Sequence, residues 1–232
     1  MANPELEPPS SGANDYRMLL AVIAGISLGV AATALPTLIE GPFQTWLYPA
    51  KVAMWLAGIA AIIVEYLAVL FGSRLYLRRV EVYATTSLAL VFLAVAGMFI
   101  VLGMGSDRLG PRWFTLFAIF NLLAGLEADH ARRVVLRHAG DHFGSDVVRV
   151  AANSLLQVTW LHLITALGSL LFAVLGSGAP AFGVFLAACV ALASTIATNV
   201  QQYRLREDLA RLGVISGRPE PAPPEGGGKP GA

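Results

Sequence analysis

Between Arg149 and Arg204 the chain runs for 54 residues without one Asp, Glu, Lys or Arg. A hydrocarbon core of about 30 Å is crossed by roughly 20 helical residues, and a soluble domain has no place for so long an uncharged stretch. It is too long for one helix, and it breaks naturally at Gly176-Ser-Gly-Ala-Pro180, where Gly and Pro interrupt the apolar pattern. Two membrane helices are therefore predicted from this stretch alone.

Four more follow from the same count. Twenty-two uncharged residues separate Arg17 from Glu40, and 22 separate Lys51 from Arg74, broken only by Glu65. Twenty-five lie between Glu81 and Asp107, and 14 between Arg112 and Glu127. Charged residues make up 13% of the chain, about half of what a soluble domain carries, and they are gathered at the ends of these stretches. The predicted fold is an all-α integral membrane protein of six transmembrane helices over residues 17–212. Segment 1–16, acidic and Pro/Ser-rich, is expected to be a disordered leader without signal-peptide character, and the Pro/Gly-rich 213–232 a disordered tail.

Basic residues give the orientation. With both termini cytoplasmic, 13 of the 16 Lys and Arg fall inside and only Lys51, Arg108 and Arg112 outside. Trp46, Tyr48 and Trp113 stand where aromatic residues anchor the outer interface. The expected location is a bacterial inner (plasma) membrane. A net charge of +1 gives no electrostatic footprint for nucleic acid, and a single cysteine, Cys189, excludes an intramolecular disulfide.

The partners expected are the lipid bilayer and, through small-residue seams, a second copy or the other members of a membrane complex. Ala21, Gly25, Gly29 and Thr33 recur every four residues in the first span, Ala53, Ala57 and Ala61 in the second, and Ala187, Ala191 and Thr195 in the sixth. Small residues so placed let helices approach closely in lipid, whether within one chain or between chains.

Glu65 is the most informative position. It stands nine residues before Arg74, about 13 Å inside its span by helical rise. A carboxylate at that depth must be protonated, paired, or facing a watery cavity. A proton or cation site is the functional reading, and an interhelical hydrogen bond the structural one. In the fifth span His162, Thr165 and Ser169 fall within about 60° of one another on the helical wheel, with Asn153 and Gln157 on another side. Ser194, Thr198 and Gln201 form a similar stripe in the sixth, with Asn199 offset from it. Such stripes line pathways, or simply join helices.

The run from Glu127 to Asp141 is expected to be mostly a helical extension beyond the lipid, because Asp129 with Arg133 and Arg137 with Asp141 are i,i+4 pairs. Glu127-x-x-His130 has the i,i+3 spacing of carboxylate-bundle metal sites, but those need further ligands and the chain has a single such motif. A haem held by two histidines needs them at matching depth, which His162 and His130 do not offer. No cofactor is predicted, and a metal at Glu127 and His130 is the weaker alternative.

Three functions are compatible with these features. One is a small channel or carrier whose route is lined by Glu65, His162 and the polar stripes. Another is a membrane subunit packed within a larger complex, and a third is a membrane metallo- or redox enzyme using Glu127 and His130.

Overall fold

The computed structural model describes residues 11–39, 45–75, 82–104, 108–138 and 143–214. They form six helices: α1 Ser11–Ile39, α2 Leu47–Leu75, α3 Val82–Met104, α4 Leu109–His138, α5 Ser145–Leu175 and α6 Ala181–Arg211. Each is long and apolar enough to cross a membrane, and the chain is an integral membrane protein. Segments 1–10 and 215–232, which hold most of the two expected disordered ends, lie outside the described residues, and α1 already begins at Ser11.

The break inside the 54-residue stretch falls where Gly and Pro put it. α5 ends at Leu175, Gly176–Gly178 make one 3-10 turn, and Pro180 caps α6 from an extended conformation. Pro suits that place because a helix start has no use for its missing N–H.

α2, α3, α4, α5 and α6 form a closed circuit of neighbours, and α1 packs against α3 and α2. The inward seam of α1 is Leu20, Ala24, Ser27, Ala31, Ala34 and Leu38, alternating four and three residues apart. That spacing keeps one stripe of a helix facing its partners. Two hydrogen bonds tie the seam down: Trp55 Nε1 donates to the Ala31 carbonyl at 3.0 Å, and Ser27 Oγ to the Phe92 carbonyl at 3.4 Å.

Ala53, Ala57 and Ala61 are buried in α2, and Ala191 and Thr195 in α6, two helices that pack on one another. Their small side chains do what the sequence suggested. The stripe of Ala21, Gly25, Gly29 and Thr33 behaves differently. It lies on the outside of the bundle, and nothing stands within 4 Å of where a Cβ on Gly25 or Gly29 would be.

The interior is aromatic. Trp113 stacks on Phe117 at 4.9 Å, Phe117 on Phe120 at 5.9 Å, and Phe114 meets Phe172 at 4.6 Å. Trp113 was expected at the outer interface but is fully buried, because the helical period places it on the same face as Phe117 and Phe120. Trp46 is half exposed and stands against Phe182 and Phe185 at the start of α6.

α4, α5 and α6 have 30, 31 and 31 residues, about ten more than a span requires. The surplus gathers at the arginine-rich end. There Val135 and Ala151 form a small second core with Phe143, Val148, Leu155 and Leu205, binding the end of α4, the start of α5 and the end of α6 into one head. Arg133 and Arg132 pair with Asp129 at 2.5 and 3.1 Å, which confirms the helical extension after Glu127. Asp141, expected to pair with Arg137, lies outside the described residues.

Candidate functional site

Glu65 is brought by α2 into the bundle interior, where only 5% of it remains accessible. The buried residues on the same stretch of helix are Ala61, Ile62 and Val64, all apolar. Among the described residues no Lys, Arg or His pairs with it. The charged group whose field acts on it is another carboxylate, Glu127 of α4.

Glu127 is itself half-buried and accepts a hydrogen bond at 3.0 Å from the hydroxyl of Ser87, a buried residue near the start of α3. Ser87 and Glu127 thus join α3 to α4, and the charge of Glu127 reaches Glu65 on α2. Two carboxylates held in an apolar interior repel one another unless a proton or a cation neutralises part of their charge. Counting uncharged residues put Glu127 close to the membrane boundary. Its hydrogen bond from Ser87 ties it to α3, and α4 continues unbroken past it to His138.

His130 lies one turn beyond Glu127, half-buried. Among the described residues no three of His, Cys, Asp and Glu converge closely enough to hold a metal ion. Glu127 accepts from a serine hydroxyl, with His130 on the same helix three residues on.

His162 belongs to a second centre. It is buried in the seam between α4 and α5, with Nδ1 2.9 Å from Oδ1 of Asn121. Asn121 Nδ2 donates to the Phe117 carbonyl at 2.8 Å, and this orients the amide. Its Oδ1 can then only accept, so Nδ1 of His162 carries the hydrogen. The histidine ring meets Phe120 edge-on at 6.1 Å. Gly125 makes room for it, since a Cβ there would stand 3.2 Å from the His162 Cβ. Asn121 lies six residues before Glu127, so the two centres are about 9 Å apart along α4.

The remaining stripe residues divide. Ser169 is buried and Thr165 half-buried on the His162 side of α5, while Asn153 and Gln157 are exposed on the bundle surface. Gln201 of α6 donates to Gln157 Oε1 and to Ser154 Oγ, so this group joins α5 to α6. In α6 the hydroxyls of Ser194, Thr195 and Thr198 and the amide of Asn199 all donate to carbonyls three or four residues back in their own helix.

Ser87 and Asn121 are the residues that sequence reasoning did not single out. The available signal was the same as for Glu65, a strongly polar side chain inside an uncharged span. What was missing was the identity of the partners, which lie 40 and 41 residues away. Comparison with protein-family models, with curated proteins and with solved structures finds no match.

Proposed function

We propose that this protein is a small carrier that moves a proton or small cation across the membrane, with the Glu65–Glu127 pair as its binding centre. The observation that carries the reading is Glu65, a carboxylate buried in the bundle interior that no Lys, Arg or His pairs with among the described residues. Embedded acidic groups of this kind mark ion and proton routes in membrane proteins. Ser87 holds Glu127 in place and gives its oxygen a donor. His162, Thr165 and Ser169 continue the route on α5, and Asn153 and Gln157 belong to its arginine-rich mouth.

The filled interior favours a carrier over a standing pore. Trp113, Phe92, Phe99, Phe114, Phe117 and Phe120 are all buried in the bundle core. A route past them requires helices to move relative to one another, as alternating access does. Both termini face the cytoplasm in this reading, in a bacterial inner membrane, supported by the 13-to-3 division of basic residues.

Flux across proteoliposomes under an imposed pH or cation gradient tests it. The parent should show flux, and Glu65→Gln, which keeps the shape and removes the ionisable group, should assemble normally and lose it. Equal flux in parent and variant would remove Glu65 from the mechanism.

A second reading has its own observation. The Ala21, Gly25, Gly29 and Thr33 stripe faces outward with no covering group. This favours a subunit that packs through α1 against another membrane helix. A parent that forms a defined larger assembly and shows no flux would select that reading.

A further inference from the structure

The helices packed around Glu65 bring it no cation. α2 packs against α6, α3 and α1. From Ala181 to Gln202, from Val82 to Met104 and from Met18 to Ile39, these three carry no Asp, Glu, Lys, Arg or His. The titratable groups they do carry there are Cys189 and Tyr83, neither of which can be positive. Among the described residues the charge that reaches Glu65 is that of Glu127 on α4, a second carboxylate. With 5% of it accessible, Glu65 cannot rely on water either. It is neutralised by a proton, or by a cation that comes from outside the chain.

The oxygens of the bundle decide between the two. A metal cation leaves water by exchanging its hydration shell for about six oxygens. Membrane carriers supply them by breaking helices, so that unwound carbonyls face the ion. Here α2, α3 and α4 run unbroken past Glu65, Ser87 and Glu127, and their carbonyls stay in the helical ladder. Pro36 does interrupt a ladder, in α1, but the carbonyl it frees belongs to Ala32, on the exposed side of that helix. The hydroxyls are committed as well. Ser87 donates to Glu127, and on α6 Ser194, Thr195 and Thr198 donate to carbonyls of their own helix. A proton needs none of these ligands, because one O–H bond on Glu65 removes the charge.

We propose that the ion taken up by Glu65 is a proton and not a metal cation. The O–H bond forms when the carboxylate takes a proton from water on one side, and it breaks when the neutral acid returns that proton to water on the other. The transport step rests on the carrier reading; the proton held by Glu65 does not.

Infrared spectra of the full chain in lipid nanodiscs read the state of Glu65 without any flux. At neutral pH the parent should show the C=O stretch of a protonated carboxylic acid that is missing in Glu65→Gln. Glu65→Asp should shift this band, and it serves if the Gln variant does not fold. Raising Na+ or K+, or adding Ca2+, at fixed pH should leave the band unchanged. Its absence from the parent, or its saturable loss as one of these cations is added, overturns the proposal. Proteoliposomes then separate this result from the carrier reading. Under a pH gradient the parent should move protons and Glu65→Gln should fall to the leak of protein-free vesicles, while Na+ and K+ gradients at matched pH drive nothing. Glu65-dependent Na+ or K+ flux without proton movement overturns the proposal and leaves a carrier standing. A cation-insensitive band with no flux of any kind ends the carrier reading and leaves the proton on Glu65.

Discussion

Gly58→Ala should destabilise the folded bundle by about 1–3 kcal/mol, the usual cost of forcing extra volume into a packed core. An ideal Cβ on Gly58 would stand 2.6 Å from Cζ and 2.9 Å from Cε1 of Phe99, contacts that real side chains do not make. Phe99 is fully buried in α3, so its ring cannot swing aside into free space. In water, replacing a helical Gly by Ala would return up to ~1 kcal/mol of helix propensity and mask part of the clash. Unfolding in mixed micelles with rising SDS avoids this, because the unfolded chain keeps much of its helix and the propensity term largely cancels. Gly25→Ala is the control: it meets nothing within 4 Å and should leave the chain's own unfolding unchanged, whatever it does to assembly. Retained stability in Gly58→Ala, or an equal loss in both variants, would refute close α2–α3 packing over Gly58.

The other expectations follow from single contacts. Asn121→Ala strands the buried Nδ1–H of His162 and should cost about 1–3 kcal/mol in the same unfolding assay, with much of the loss recovered when His162 is also made Phe. Ser87→Ala removes the donor to Glu127 and should fold, while changing the pH dependence of proteoliposome flux; an unchanged profile would separate Ser87 from the site. Arg133→Ala breaks an ion pair whose arginine is mostly exposed, and thermal unfolding should register no more than about 1 kcal/mol. Cysteines placed at Gly140 and Gly178 in a Cys189-free background should label from opposite sides of the membrane; labelling from one side would overturn the six-span topology.

The six helices were readable from the chain because lipid imposes a one-dimensional rule. A span must hide every backbone polar group and carry few charges for about 20 residues, and both requirements are properties of consecutive residues. The division at Gly176-Ser-Gly-Ala-Pro180 was readable for a similar reason, since Gly and Pro act on their own backbone. Glu65 also declared itself, because a carboxylate inside a span is costly wherever its neighbours are.

Tertiary structure decided what covers each polar group. Helical period puts Trp113 on one side of α4, but it does not say whether that side meets lipid or the bundle interior. The same ambiguity hid the outward turn of Gly25 and Gly29, which four-residue spacing alone describes as well as the buried Ala53 and Ala57. Glu127 was placed from its own helix alone, and its partner Ser87 stands on another, α3. A hydrogen bond across 40 residues is invisible to local pattern, and Glu127 acts on Glu65 only once the bundle has assembled. Local chemistry determined which segments enter the membrane; the packing of those segments determined which charges must share one interior.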